Sequence, residues 1–216
     1  MKNIKNIVTL LVVGCFALAL VSCNKKESAD IASITSFPIM ELNGSPHMNV
    51  GIGETFTDPG VTVTVDGADV PYTTVGTVNT TAPGLYTIVY SATDLSGNWS
   101  QEISRQVYVC DDQYIGFFAL QPGGTNVANR TGVMYISKVS AEKYRASNIW
   151  WQAALVPVNF EHIGGGIFNT STGNTSNYGN FDGTVLYNAG TETFSFDMTF
   201  TSGNTGVNWK TNYKRL

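Results

Sequence analysis

From Ile34 onward the chain reads as short alternations of apolar and polar residues. Thr62-Val63-Thr64-Val65 alternates, and Tyr86-Thr87-Ile88-Val89-Tyr90-Ser91-Ala92 places Tyr86, Ile88, Tyr90 and Ala92 on one face. A period of two is the period of a strand with one buried side. Phe194-Ser195-Phe196-Asp197-Met198-Thr199-Phe200 is the cleanest case, apolar on one face and polar on the other. Ser202-Gly203-Asn204-Thr205-Gly206 is expected to turn that strand round. Val207 to Lys214 then runs back, with Val207, Trp209 and Tyr213 inward and Asn208, Lys210, Asn212 and Lys214 outward. Lysine at alternate outward positions blunts an edge or a solvated face. No long stretch repeats at 3.6 residues, and Ser140-Ala141-Glu142-Lys143 is expected as a hairpin loop. Strand signals recur roughly every ten residues, the spacing of sandwiches and barrels, so the chain is expected to be all-β.

The two ends of the chain read differently. The start is basic (Met1, Lys2, Lys5), and Ile7 to Val21 carries no charge. That run is too short for a good membrane span and is followed closely by a small-residue site. Leu20-Val21-Ser22-Cys23 resembles the lipobox of bacterial lipoproteins. The resemblance implies a signal peptide over 1–22, lipid on Cys23, and a polar tether over 23–33. Beyond it, the text divides near Cys110-Asp111-Asp112 into segments 34–110 and 111–216.

Removing 1–22 leaves 194 of the 216 residues, enough for two domains of about a hundred each. Lys2 and Lys5 leave with the signal, so 12 basic residues become 10 against 16 acidic ones, a net charge near −6. A mildly acidic chain with scattered charge lacks the basic footprint of a nucleic-acid partner. Cys15 departs and Cys23 takes lipid, so Cys110 is alone, no intrachain disulfide is possible, and Cys110 reads as a small buried side chain.

Within 34–110, Gly53-Glu54-Thr55-Phe56-Thr57-Asp58-Pro59-Gly60-Val61 and the run from Pro83-Gly84-Leu85-Tyr86 to Asp94-Leu95-Ser96-Gly97-Asn98 resemble the immunoglobulin-like module of bacterial surface proteins. Pro83-Gly84 turns the chain, and Tyr86 stands where a tyrosine-corner hydroxyl ties that turn down. Such modules usually serve as spacers. In 111–216, Ile136-Ser137-Lys138-Val139, Tyr144-Arg145-Ala146-Ser147-Asn148 and Asn188-Ala189-Gly190-Thr191-Glu192-Thr193-Phe194 resemble the C-terminal β domain of lipoproteins encoded with glycan-uptake systems, including partners of SusD-type receptors. Asn148 stands for an Asp in that pattern, and Trp150-Trp151 stand where glycines are common. Together these features imply an immunoglobulin-like β-sandwich followed by an antiparallel β meander, a barrel or a sandwich. They also imply a lipid-anchored place at the outer membrane or cell surface, with the periplasmic face as the other option.

Candidate chemistry is sparse. Read as a strand, Ile149, Trp151, Ala153 and Leu155 share one face and Asn148, Trp150 and Gln152 the other. Trp151 is then the core residue and Trp150 an exposed indole beside amides, the arrangement that holds a sugar ring. The loop 169–180, rich in Asn, Ser, Thr and Gly, has Tyr178 as its anchor. Trp150, Asn148, Gln152 and Tyr178 are therefore the expected ligand-binding residues, with a glycan as ligand and an envelope protein as the alternative partner. Asp58, Asp66, Asp69 and Asp94 form no dense cluster, so no metal is expected. Asp182-Gly183 reads as a turn, Glu192 as a hairpin residue and Asp197 as outward. Glu161-His162 has no second histidine nearby, and no nucleophile motif occurs, so neither catalysis nor a cofactor is expected.

Overall fold

The computed structural model describes residues 36–216 except 95, 98, 99, 126–129, 151–154, 172, 176–178 and 204. Cys23 and the signal and tether assignments lie outside the described residues. The described residues are all-β, with no helix.

Seven strands build the first half: β1 (Ile39–Leu42), β2 (His47–Gly51), β3 (Val61–Val65), β4 (Ala68–Asp69), β5 (Thr73–Val75), β6 (Gly84–Thr93) and β7 (Ser100–Cys110). They form two sheets, ordered β1-β3-β4 and β2-β7-β6-β5, with β2 parallel to β7. The alternation seen in the sequence sets the faces. Val61, Val63 and Val65 are buried from β3, and Ile88, Tyr90 and Ala92 from β6. Tyr86 does tie its turn, donating its hydroxyl to the Ala82 carbonyl at 2.9 Å.

Arg105 was not singled out in the sequence, yet it is fully buried in this sandwich. Its guanidinium donates to the carbonyls of Ser45 (2.8 Å), Asn43 (2.8 Å) and Gly60 (3.0 Å), and Nε lies 3.4 Å from Asp58 Oδ1. Tyr90 donates to the same Asp58 oxygen at 2.6 Å. A buried charge persists only when paired and hydrogen-bonded, and the segments 43–45 and 58–60 together supply those partners. The detectable signal was an arginine in the otherwise apolar stripe Ile103, Val107, Val109 of β7.

The second half contains β8 (Gly116–Gln121), β9 (Val133–Ser140), β10 (Lys143–Ala146), β11 (Val158–Gly164), β12 (Ile167–Thr170), β13 (Gly173–Thr175), β14 (Gly179–Asn188), β15 (Thr193–Phe200) and β16 (Asn208–Arg215). From β8 to β12 and from β13 to β16 each strand pairs antiparallel with the next, β12 pairs with β14 past β13, and β16 returns to β8. The meander therefore closes as an eight-stranded antiparallel barrel, with the short β13 added beside β14. Eight strands leave an interior just wide enough to fill with side chains. Phe160, Phe168, Phe181, Phe194, Phe196 and Trp209 fill it, and all are at most 2% exposed.

Three expectations change here. β16 is paired on both sides, so its lysines guard a solvated face and not an edge. Val207 precedes the strand and is 48% exposed, while Thr211 takes an inward position with Trp209 and Tyr213. Asp182-Gly183 is not a turn but the middle of β14. A side chain at Gly183 would collide with the Asp197 carbonyl and Met198 of β15, so the glycine serves close strand approach. The Ser140–Lys143 hairpin, the Glu192 turn and the outward Asp197 stand as expected.

The two halves share β7. Val107 joins the sandwich core, whereas Tyr108 and Cys110 join the barrel core. The Asn49 side chain on β2 then treats β8 as a strand partner. Its Oδ1 accepts from Phe117 N–H at 2.7 Å and its Nδ2 donates to Phe117 carbonyl at 2.9 Å. Phe117 points away from the barrel interior but is only 2% exposed, covered by His47 (4.9 Å between ring centres) and Tyr108 (6.1 Å).

Candidate functional site

Strand direction divides the barrel into two ends. The linker 111–115 and the hairpins at 141–142, 165–166 and 189–192 lie at the end next to the sandwich. β8, β10, β12 and β15 end, and β9, β11, β14 and β16 begin, at the far end.

Trp150 lies at that far end, and its expected exposure is wrong. The residue is 8% exposed and is not in a strand; β10 stops at Ala146 and β11 begins at Val158. The parity count fails because residues 147–150 are not in a strand. Asn148 folds the segment instead: its Oδ1 accepts from Trp150 N–H at 3.1 Å and from Val156 N–H at 2.9 Å. Inward residues of β16 clamp the backbone, Tyr213 hydroxyl to the Trp150 carbonyl (2.6 Å) and Thr211 hydroxyl to the Ile149 carbonyl (3.2 Å). Burial raises the Tyr213 pKa, so the donor stays protonated at neutral pH. The indole closes the barrel against Trp209 (4.6 Å) and Phe200 (6.1 Å). Asn148 is thus a clamp with its oxygen occupied. Gln152, Trp151 and Tyr178 lie outside the described residues.

Tyr114 closes the opposite end. Its ring meets Tyr144, His162, Phe168 and Tyr187 at 5.0–5.6 Å between centres. Asp112 fixes the linker by accepting from Tyr114 N–H (2.9 Å), Tyr144 hydroxyl (2.7 Å) and Lys138 Nζ (3.2 Å). Burial alone would raise the Asp112 pKa, but these three donors hold it below its ordinary value. His162, expected as a structural or surface residue, bridges Glu142 Oε2 (3.2 Å) and the Tyr114 hydroxyl (3.4 Å).

The described interior of the barrel is filled, and its open surfaces lie outside it. An open groove of about 390 Å³ crosses β10, β11 and β12. Lys143, Glu161 and Asn169 stand opposite one another across the three strands. Arg145 and Asn159 form the next row, joined by Arg145 Nη1 to Asn159 Oδ1 at 3.3 Å. Ser171 sits beyond, its N–H and hydroxyl both bound to the Asn159 carbonyl. The groove thus presents a cation, an anion, two amides and a hydroxyl beside the exposed Val139. Asn169, Thr170 and Ser171 open the Asn/Ser/Thr-rich loop, the part of the sequence reading that reaches this site. The alternation gave no signal for the rest, because a groove across three strands depends on register.

Residues 40–109 match the family described as Bacterial surface protein, Ig-like domain. The fold of the longer chain is similar to the crystal structure of the lipoprotein BT2262 from Bacteroides thetaiotaomicron, with a TM-score of 0.62 and 18% identity. The alignment covers 83% of this chain and 100% of that one. At that identity the likeness shows the fold alone. No curated protein matches the chain.

Proposed function

We propose that this protein is a non-catalytic, glycan-binding lipoprotein of the bacterial envelope, held at the outer membrane or cell surface through lipid on Cys23 and serving polysaccharide uptake. The lipobox, the surface-protein module at 40–109 and the fold shared with a Bacteroides lipoprotein support the location. The wall groove carries the binding reading. Two asparagine amides, a hydroxyl and an opposed charge pair beside the exposed Val139 are donors and acceptors spaced for a polyhydroxylated chain. Glu161 faces Lys143 across the strands and not a second carboxyl group, whereas glycoside hydrolysis needs two. The sandwich acts as a stiff spacer, since Asn49 and Phe117 fix it to the barrel.

A panel of polysaccharides tested against the chain from Asn24 onward checks this reading. At least one glycan should bind, and Asn159→Ala with Asn169→Ala should weaken it. Binding of no glycan, or equal binding by the double variant, overturns the proposal. A protein partner is the second reading, favoured by Ile167 and Leu186, which pair across β12 and β14 and are about half exposed. A glycan that binds in the groove decides against it.

A further inference from the structure

A second depression, about 580 Å³, opens at the sandwich-side end of the barrel, between the β11–β12 hairpin and the β14–β15 hairpin. It is lined by Tyr114, Leu186, Asn188 and Ser195, with Tyr187, only 8% exposed, behind them. Gly165 and Gly166 form one lip. Their φ values, +61° and +73°, lie in the left-handed region, and the bare backbone keeps the mouth open. Asn188 Oδ1 accepts from Thr191 N–H at 3.2 Å, leaving its Nδ2 as a donor with no partner among the described residues. Ser195 donates to Asn212 Oδ1 at 2.7 Å, leaving its oxygen as an acceptor. Tyr114 is held from behind by His162 and through its backbone by Asp112, so the aromatic wall is rigid.

This depression and the wall groove share one surface. Along β12 the outward positions run Asn169 and then Ile167, about 7 Å apart for two strand residues. Ile167 pairs with Leu186, and Leu186 lines the depression. An amide row therefore leads, over a short apolar step, into a pocket that holds Tyr114 and a polar rim. A glycan alternates the same features, since pyranose rings show C–H faces between hydroxyl edges.

Resting on the glycan-binding reading above, we propose that the Tyr114–Tyr187 pocket is a terminal subsite: it receives the end ring of a glycan whose chain continues along the groove of Asn159 and Asn169. The ring's C–H face lies against Tyr114, and its hydroxyls meet Asn188 Nδ2 and Ser195 Oγ. Chain length then governs affinity, because a short oligosaccharide cannot fill pocket and groove together.

Titration calorimetry of the chain from Asn24 onward, with a size ladder of oligosaccharides from the glycan that binds, tests this. Asn188→Asp keeps the Thr191 contact and removes the free donor. Gly165→Asn tolerates the left-handed backbone and adds a side chain where none now approaches within 4 Å. Expected is an affinity that rises with length up to the span of both sites, and a fall of about tenfold in each variant for the longest oligomer. Each variant should behave toward fragments too short to reach the pocket as the unaltered chain does. Unchanged affinity in both variants, while Asn159→Ala with Asn169→Ala still weakens binding, overturns the terminal subsite and leaves the groove reading intact. No binding of any glycan to the unaltered chain overturns both.

Discussion

Replacing Trp150 by alanine should unfold the far end of the barrel and not merely remove a surface ring. The indole is almost wholly buried and packs on Trp209 and Phe200. Truncating a buried tryptophan costs about 3–5 kcal/mol, from lost transfer energy plus the cavity left behind. The low end of that range does not apply here. The Tyr213 and Thr211 hydroxyls bind the backbone of the same segment, so the segment cannot collapse freely into the void. Taking about 4 kcal/mol, and 2–4 °C of melting temperature per kcal/mol for a chain of this size, the midpoint should fall by roughly 8–16 °C. Trp150→Phe keeps a ring against Trp209 and should cost about 1–2 kcal/mol. Urea unfolding of the chain from Asn24 onward, followed by circular dichroism, measures both. An exposed platform predicts the opposite pattern: under 1 kcal/mol for Trp150→Ala, as for most surface changes, together with lost glycan binding. That result would refute the plug.

Other consequences are as direct. Arg105→Met strips three carbonyls and Asp58 of their buried partner and should cost about 3–5 kcal/mol, read as a lowered urea midpoint. Asn49→Ala leaves Phe117 N–H without its acceptor and should cost about 1–3 kcal/mol by the same assay. Burial raises the Cys110 thiol pKa, partly offset by Arg215; it is the single thiol of the chain from Asn24 onward, so labelling by a thiol reagent should be slow in buffer and fast in denaturant. Burial lowers the pKa of His47, so the folded state binds its proton less readily than the unfolded chain. Stability should fall as pH drops below about 6.5, and His47→Gln should reduce that slope between about pH 7 and 5. The Asp112 carboxyl, held below its ordinary 3.8, acts in a separate window under about pH 4.

Local alternation made the strand faces legible, and residues such as Val63, Tyr90, Phe196 and Tyr213 are buried as their parity requires. The Tyr86 corner was legible too, because turn chemistry is local. Closure of the barrel was not. It rests on β16 meeting β8 and β12 meeting β14, long-range pairings that no local period encodes. Trp150 misled for a related reason. Ser147-Asn148 is a turn signal, and the Asn148 side chain competes with the strand by binding two backbone N–H groups. Counting parity through such a residue carries the count past the point where the strand has ended. The candidate site suffered most, because Lys143, Glu161 and Asn169 become neighbours only through register.

Backbone amide shifts recorded as a bound glycan is titrated in would locate recognition most directly. Lys143, Asn159, Glu161, Asn169 and Ser171 on the outer wall should move most, with those of Phe196, Met198 and Tyr213 inside the barrel unmoved. The largest changes in the sandwich, or at 147–150 and 205–207 on the far end with the wall silent, would contradict the account.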